Sequence, residues 1–304
     1  MSYENFLQEF ATAQGVGSVE ELLSDYSQRY AFQINSRDRA KKVISRLVDE
    51  FGITFPGKRV LDVGCAYGSF SIEMAKAGAI VVGVDISDKW LRLAEINASG
   101  EAEVPFVNCD ASSYRASHEL SGYGPFDIFI VNDVFEHIHD TVGLMETIKK
   151  LSSPGAIVYF KIPNGHATRH VLLEGHKKVF GISLLPPDYW HLFISAPFHI
   201  YYRRWGHFQS IFDYYGFSEI RHVREIRDPD IETTRRHIVN DVNKIRRFLK
   251  SENFDDVRQL SVLRRACRYY YDEVASDIET LEWEPLWSKY RQTFWEGVAV
   301  LSQR

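Results

Sequence analysis

Val60-Leu61-Asp62-Val63-Gly64-Cys65-Ala66-Tyr67-Gly68 runs from an apolar stretch holding one carboxylate into a turn of mostly small residues, and a helical stretch follows over residues 69–77. Small residues at a strand-to-helix turn let the backbone approach a ligand closely, and the helix N-terminus presents free N–H groups there. A dinucleotide fingerprint would set glycines in the order G-x-G-x-x-G, but the matching positions are Gly64, Ala66 and Ser69. A nicotinamide site is therefore a poor match. A carboxylate inside the strand, Asp62, and a second one closing the next apolar run, Asp85, 85 − 62 = 23 positions on, suit another ligand better.

Outward from this turn, short apolar runs alternate with helical stretches: Arg59–Val63, Ile80–Val84, Pro105–Asn108, Asp127–Val131 and Ala156–Ile162. Strand alternating with helix predicts an α/β fold, a parallel sheet covered on both faces. Residues 1–56 read as a helical cap, with Ser18 and Glu21 forming a capping box. Residues 57–223 form the core, whose last pieces are a helix over Arg203–Tyr214 and a strand over Ser218–Val223. Residues 224–292 are a helical insertion carrying apolar residues at Ile238, Val242, Ile245 and Leu249, then at Leu260, Leu263, Cys267, Tyr270, Val274, Ile278 and Leu281. Residues 293–304 hold a terminal strand around Val298–Leu301, with Gly297 read as the breaker of a competing helix.

Composition narrows the function classes. Apolar residues at 45% suffice for a sizeable core, and 36 basic against 41 acidic residues give a net charge of −5, which disfavours nucleic acid as a partner. The C-terminal part is no basic exception: from Arg221 to Arg304 sixteen basic residues face fifteen acidic ones. No apolar run reaches the length of a membrane span, so no membrane insertion is expected, and the acidic opening MSYENFLQEF favours a cytoplasmic protein over a secreted one. Cys65, Cys109 and Cys267 are too few and too far apart for a disulfide framework or a structural zinc site.

Four ordered blocks then carry a family resemblance: D-V-G-C-A-Y-G at 62–68, G-V-D-I-S at 83–87, N-C-D-A at 108–111 and N-D-V-F-E-H-I at 132–138. Through them the chain resembles the class I S-adenosylmethionine-dependent methyltransferases, and within these the ubiquinone-pathway and other small-molecule O-methyltransferases. The resemblance spans about residues 56–223, including the turn Leu151-Ser152-Ser153-Pro154-Gly155 before strand five. It implies a Rossmann-like, doubly wound, mostly parallel seven-stranded sheet and S-adenosyl-L-methionine as cofactor, with S-adenosyl-L-homocysteine as product. By the same resemblance, Gly64, Cys65, Ala66, Tyr67 and Gly68 pass under the methionine part while Asp62 holds the region in place. Asp85 accepts both ribose hydroxyls, Ile86 and Trp90 face the adenine or ribose, and Asp110 and the Ala111 N–H meet the adenine. Asn132 sits beside the amino-acid end.

Methyl transfer to a hydroxyl requires the acceptor to be held in line and its proton removed. His137 leads as the base because it follows strand four at the ligand-binding edge of such a sheet. In relatives the Glu136–His137 pair also positions the loop, and both roles stay open; His199 is a further candidate. Asp133, Glu136 and His137 reproduce the carboxylate-x-x-Glu-His arrangement of the ubiquinone-pathway enzymes, some of which use magnesium. One imidazole and two carboxylates make a weak metal site, and helix capping by Asp133 explains that residue as well. The connection from Pro163 to His199 carries His166, His170, His176, His191 and His199, and its cationic balance favours an anionic acceptor.

The expected function is methyl transfer to a hydroxyl of a small metabolite or sugar. The alternatives are a methyltransferase acting on RNA or protein, disfavoured by the acidic balance, and a cofactor-binding scaffold without catalysis. The insertion is expected to serve as a lid or as a homodimer contact.

Overall fold

The computed structural model describes residues 2–196, 198–223, 225–251, 254 and 256–302. Seven strands, β1 (Arg59–Val63), β2 (Ile80–Asp85), β3 (Phe106–Asn108), β4 (Phe126–Asn132), β5 (Ser152–Pro163), β6 (Glu219–His222) and β7 (Phe294–Val300), form one sheet in the order β3-β2-β1-β4-β5-β7-β6. Strands β1 to β5 pair in parallel, and β7 inserts antiparallel between β5 and β6. The seven-stranded, mostly parallel sheet that the family resemblance implies is present.

Both faces of the sheet are buried, and alternate residues of each strand separate them. Leu61, Val63, Val82, Val84, Phe129 and Val131 belong to the core under the helices Thr141–Leu151 and Trp205–Tyr214. Val60, Val81, Ile128, Ile130, Tyr159 and Val298 belong to the opposite core, with Leu47 and Met74 from the helices Ser36–Asp49 and Ser69–Lys76. The chain winds outward from β1 to β3, then crosses back to pair β4 with β1. This reversal opens a crevice at the carboxyl ends of β1 and β4, where folds of this kind bind ligands.

Two details depart from the sequence reading. Gly297 lies in the middle of β7, where a Cβ would come within 2.3 Å of the Arg221 carbonyl oxygen, so the glycine permits close strand pairing and breaks nothing. The stretch Ser152–Gly155 is part of β5: Ser152 pairs with Phe126, the register then jumps to Ile157 opposite Ile128, and Gly155 at φ 74° sits in the irregularity.

The connection after β5 and the helices Ile231–Ser251, Val257–Thr280 and Trp283–Tyr290 share a third core. Ile238, Val242, Ile245, Leu263, Cys267, Tyr270 and Val274 are buried in it with Ile182, Leu185 and Trp190 of the connection. A fourth cluster, Phe6, Phe10 and Leu22 against Tyr67 and Leu93, sets the N-terminal helices over the turn after β1. Ser18 caps the helix Val19–Ser24 by accepting the Glu21 N–H at 3.1 Å. The three cysteines are free and buried. Among the described residues no helix is long and apolar enough to cross a membrane.

Candidate functional site

The turn after β1 is built for close approach. Gly64, Ala66 and Gly68 all have left-handed φ values, of 64°, 47° and 72°. A Cβ on Gly64 would lie 2.7 Å from Val134, and one on Gly68 would lie 2.7 Å from Phe106, so neither position admits a side chain. Ala66 holds its conformation at a cost of roughly 1–2 kcal/mol, offset in part by a bond from its N–H to Asp85 Oδ2 at 3.0 Å. Cys65 is buried, and its N–H donates to the Val84 carbonyl at 2.9 Å. Beneath the turn, Asp62 is buried and accepts the Ser71 hydroxyl at 2.5 Å, which ties β1 to the following helix. Burial pushes its carboxyl up to about 7, although the bonds from Ser71 act the other way.

Asp85 closes β2 and also accepts the Ser87 N–H, through Oδ1 at 2.9 Å. An ionised carboxylate has about four acceptor positions; two are used, one on each oxygen, and one on each remains. Ile86 beside it is 72% exposed, and Trp90 is half-buried with its ring against Tyr67 at 5.8 Å. The pairing of Asp85 with Asn108 brings the end of β3 alongside. Two residues on, Asp110 Oδ1 accepts the Ser112 N–H and hydroxyl, while Ala111 is buried. The predicted residues of the first three strands thus line one edge.

Across the crevice, Asn132 ends β4 and donates to Asp133 Oδ2 at 3.0 Å. Asp133 stands at φ 54°, and the same oxygen meets Arg39 at 3.2 Å and Lys161 at 3.4 Å. It caps no helix, contrary to the capping expected of it, and its Oδ1 is buried without a partner. Asp133 is not among the groups close enough to share one ion: among the described residues that set is Glu136, His137 and His176.

Glu136 is 1% exposed with Oε2 unpartnered, and burial together with Asp133 holds its carboxyl well above the ordinary range. His137 is half-exposed, with Nε2 3.9 Å from Glu136 Oε1. Burial and the neighbouring His176 lower its pKa, which favours the neutral imidazole. The main chain of His199 acts on His137 in the opposite direction, towards a higher pKa, and the His199 residue is exposed.

The connection supplies a residue that spacing alone does not single out. The His176 ring stands 5.5 Å from that of His137, and its Nδ1 is 2.9 Å from Glu174 Oε1. Glu174 is fully buried and accepts the N–H groups of His176, Lys177 and Lys178 and, at 2.6 Å, the Tyr202 hydroxyl. Burial alone would raise its carboxyl, but these bonds win and hold it down at about 2. Tyr202 also borders a cleft of about 970 Å³ between the connection and the helix Val257–Thr280. Tyr189, Trp190 and Tyr269 wall this cleft, and Arg203, Arg204 and Arg265 line it. Arg204 is paired with Glu273 at 2.9 Å. Arg203 bonds the carbonyls of His139 and Phe135 and packs on the Tyr201 ring, and Arg265 lies over Tyr269. Neither of these two has a carboxylate partner among the described residues.

The sequence profile of a family described as a methyltransferase domain matches residues 32–225, more than half of the chain. The chain belongs to this methyltransferase family. Its curated relatives include the ubiquinone biosynthesis O-methyltransferase of Thiobacillus denitrificans, 35% identical over 118 residues, which are 38% of this chain and 49% of that protein. The enzyme of the same description from Aromatoleum aromaticum is 37% identical over 110 residues, 36% of this chain and 45% of that protein. The chain thus spans about half the length of these relatives. Among solved structures, a SAM-dependent methyltransferase from Archaeoglobus fulgidus matches over 89% of this chain and 99% of its own, at 16% identity and a TM-score of 0.48.

For a methyltransferase of this family, the predicted residues therefore fall into two groups. Asp62, the 64–68 turn, Asp85, Ile86, Trp90, Asp110 and Ala111 gather around β1 to β3, and Asn132, Glu136 and His137 around the end of β4. In the sequence His176 stands only as one of five histidines in the connection, and Glu174, Tyr202, Arg203 and Arg265 carry no role of their own. The nearest signal in the sequence is the histidine-rich stretch itself, where Glu174 stands two residues before His176.

Proposed function

We propose that this protein transfers a methyl group from S-adenosyl-L-methionine to a hydroxyl of a small, anionic acceptor. The observation that carries the reading is the Asp85 carboxylate at the tip of β2, bonded to Ala66 of the Gly64–Gly68 turn and keeping one acceptor position on each oxygen. A vicinal diol such as that of ribose offers two O–H donors to that pair, in charge-assisted bonds. Two further features fit the cofactor: glycines at 64 and 68, whose left-handed φ and close packing on Val134 and Phe106 set the path of the turn, and Asp133 Oδ1, buried and unpartnered beside Asn132, which suits an ammonium donor.

When bound, the cofactor supplies a methyl group on a sulfonium, already activated for displacement. This chain's residues then have three tasks. Asp85, Asp110 and the turn hold the nucleoside end, the cleft beside Tyr202 orients the acceptor, and the group of Glu136, His137 and His176 lowers the barrier to loss of the hydroxyl proton. The unpaired Arg203 and Arg265 favour an acceptor with negative charge, and the aromatic walls favour one with a flat or apolar body.

The test uses cofactor labelled in its methyl group, added with the protein to a cell extract. Label is expected in low-molecular-weight material retained on an anion exchanger. Label in RNA or protein, or none at all, rejects the proposal.

A further inference from the structure

We propose that the acceptor carries a phosphomonoester, and that Arg203 and Arg265 are the residues of the cleft that select for it. That this group belongs to the methyl acceptor rests on the reading above; that the cleft binds it does not. Arg203 stands two residues before the helix Trp205–Tyr214, and Arg265 lies within the helix Val257–Thr280, where Ser261, Arg265 and Tyr269 recur at four-residue spacing and so share one stripe. Sixty-two positions separate the two guanidinium groups in the chain, 265 − 203 = 62, and only the fold brings both to one cleft.

Arg203 is half-buried, and burial lowers the pKa of its guanidinium. Its Nη1 donates to the Phe135 carbonyl at 3.4 Å and its Nη2 to the His139 carbonyl at 2.7 Å. Carbonyls fix the direction of the group without neutralising it, and further N–H donors of the fork stay free. A cation partly removed from water without a counter-charge is costly, and an anion beside it removes the cost. Phe135 and His139 bracket Glu136 and His137, so an anion held by Arg203 has a fixed place relative to the loop after β4. Arg265 is exposed and lies over the Tyr269 ring, again with no carboxylate partner among the described residues.

The balance of charge decides the class of anion. Arg203, Arg204 and Arg265 line the cleft, and among its described lining residues Glu273 is the one acid. Glu273 pairs with Arg204 at 2.9 Å and with Lys289 at 2.7 Å, so it cancels Arg204 and leaves the charges of Arg203 and Arg265 unbalanced. A carboxylate would balance one of them, with two oxygens in a single plane. A phosphomonoester carries a charge of about −1.5 to −2 near neutral pH and three acceptor oxygens that point in different directions. It therefore matches two guanidinium forks that arrive from separate elements. The cleft, at about 970 Å³, also has room for a body beside the phosphate, against the walls of Tyr189, Trp190 and Tyr269.

The experiment is a calorimetric titration of the full chain, without cofactor, with phenyl phosphate and with three probes that lack its charge: phenyl methyl phosphate, benzoate and phenol. Phenyl phosphate is expected to bind about tenfold or more tightly than either monoanion, and phenol more weakly still. Arg203→Gln and Arg265→Gln should each weaken phenyl phosphate by about 10- to 100-fold, while Arg247→Gln, an exposed cation of the helix Ile231–Ser251 away from the cleft, should leave it unchanged. Binding of S-adenosyl-L-homocysteine checks that the variants are folded. No binding of phenyl phosphate, equal affinity for benzoate or the diester, or wild-type affinity in both folded cleft variants overturns the proposal. A second arm treats the methyl-labelled acidic product from cell extract with alkaline phosphatase, which is expected to move the label to earlier elution from the anion exchanger. A labelled product that phosphatase leaves unchanged overturns this inference while the methyltransferase reading stands. Where no label is transferred at all, that reading fails, and the calorimetry alone decides the phosphate site.

Discussion

Asp85 Oδ2 accepts the Ala66 N–H at 3.0 Å, so the carboxylate at the tip of β2 is positioned by the turn that follows β1. The same bond keeps Ala66 in its left-handed conformation, which couples the shape of the turn to the carboxylate it holds. Asp85→Ala is therefore expected to weaken S-adenosyl-L-homocysteine binding through two lost charge-assisted bonds, each worth roughly 1.5–3 kcal/mol, while the sheet stays folded. Calorimetric titration measures this, and unchanged affinity would remove the basis of the cofactor assignment.

His137→Ala is expected to lower turnover by about 10² or more with little change in affinity for S-adenosyl-L-homocysteine, because the residue lies across the crevice from Asp85. A modest loss accompanied by weaker cofactor binding would instead identify His137 as a residue that positions the loop after β4. Steady-state kinetics and calorimetry on one preparation separate the two outcomes.

Asp62 gives a pH prediction whose sign follows from burial. Its carboxyl is raised from 3.8 to about 7 in the folded chain, so between these values the folded state binds a proton that the unfolded state has released. Stability from this group is greatest below the lower value and falls as pH rises towards the upper one. Asp62→Asn still accepts the Ser71 hydroxyl but does not titrate. The difference in urea midpoint between variant and wild type should therefore shift in the variant's favour as pH rises from about 4 to 7. A difference independent of pH contradicts the raised carboxyl.

The first half of the sheet is legible in the sequence because local pattern and global fold agree there. Arg59–Val63 reads correctly to the residue, since an apolar run between Gly57 and Gly64 has one way to sit in a parallel sheet. Asp85 is placed at the end of its strand by the same pattern, whereas Asp110 is pointed to by the family resemblance and not by the pattern. Where the deciding contact is distant in sequence, the pattern stops short. Gly297 reads as a helix breaker because its reason, the Arg221 carbonyl 2.3 Å from where a Cβ would stand, lies 76 residues away on β6. Asp133 reads as a cap because its partners Arg39 and Lys161 come from a helix before β1 and from β5. The nearness of His137 and His176 likewise depends on how the connection folds back over β4, which no periodicity encodes.

The helical insertion yields the last prediction. The helix Val257–Thr280 turns Leu263, Cys267, Tyr270 and Val274 into the core it shares with the connection, and presents Ser261, Arg265 and Tyr269 to the cleft or to solvent. Tyr269, which lines the cleft, remains 65% exposed, so the cleft side of this helix has contacts left to make. We expect it to act as a lid that closes over the acceptor and excludes water from the transfer. Hydrogen exchange should then show protection rising in residues 183–190 and 261–273 when S-adenosyl-L-homocysteine and an acidic acceptor are added together, with β1 to β5 unchanged. If these segments are fully protected without ligand, and their protection increases with protein concentration, the helix is a contact between two copies of the chain and the lid reading fails.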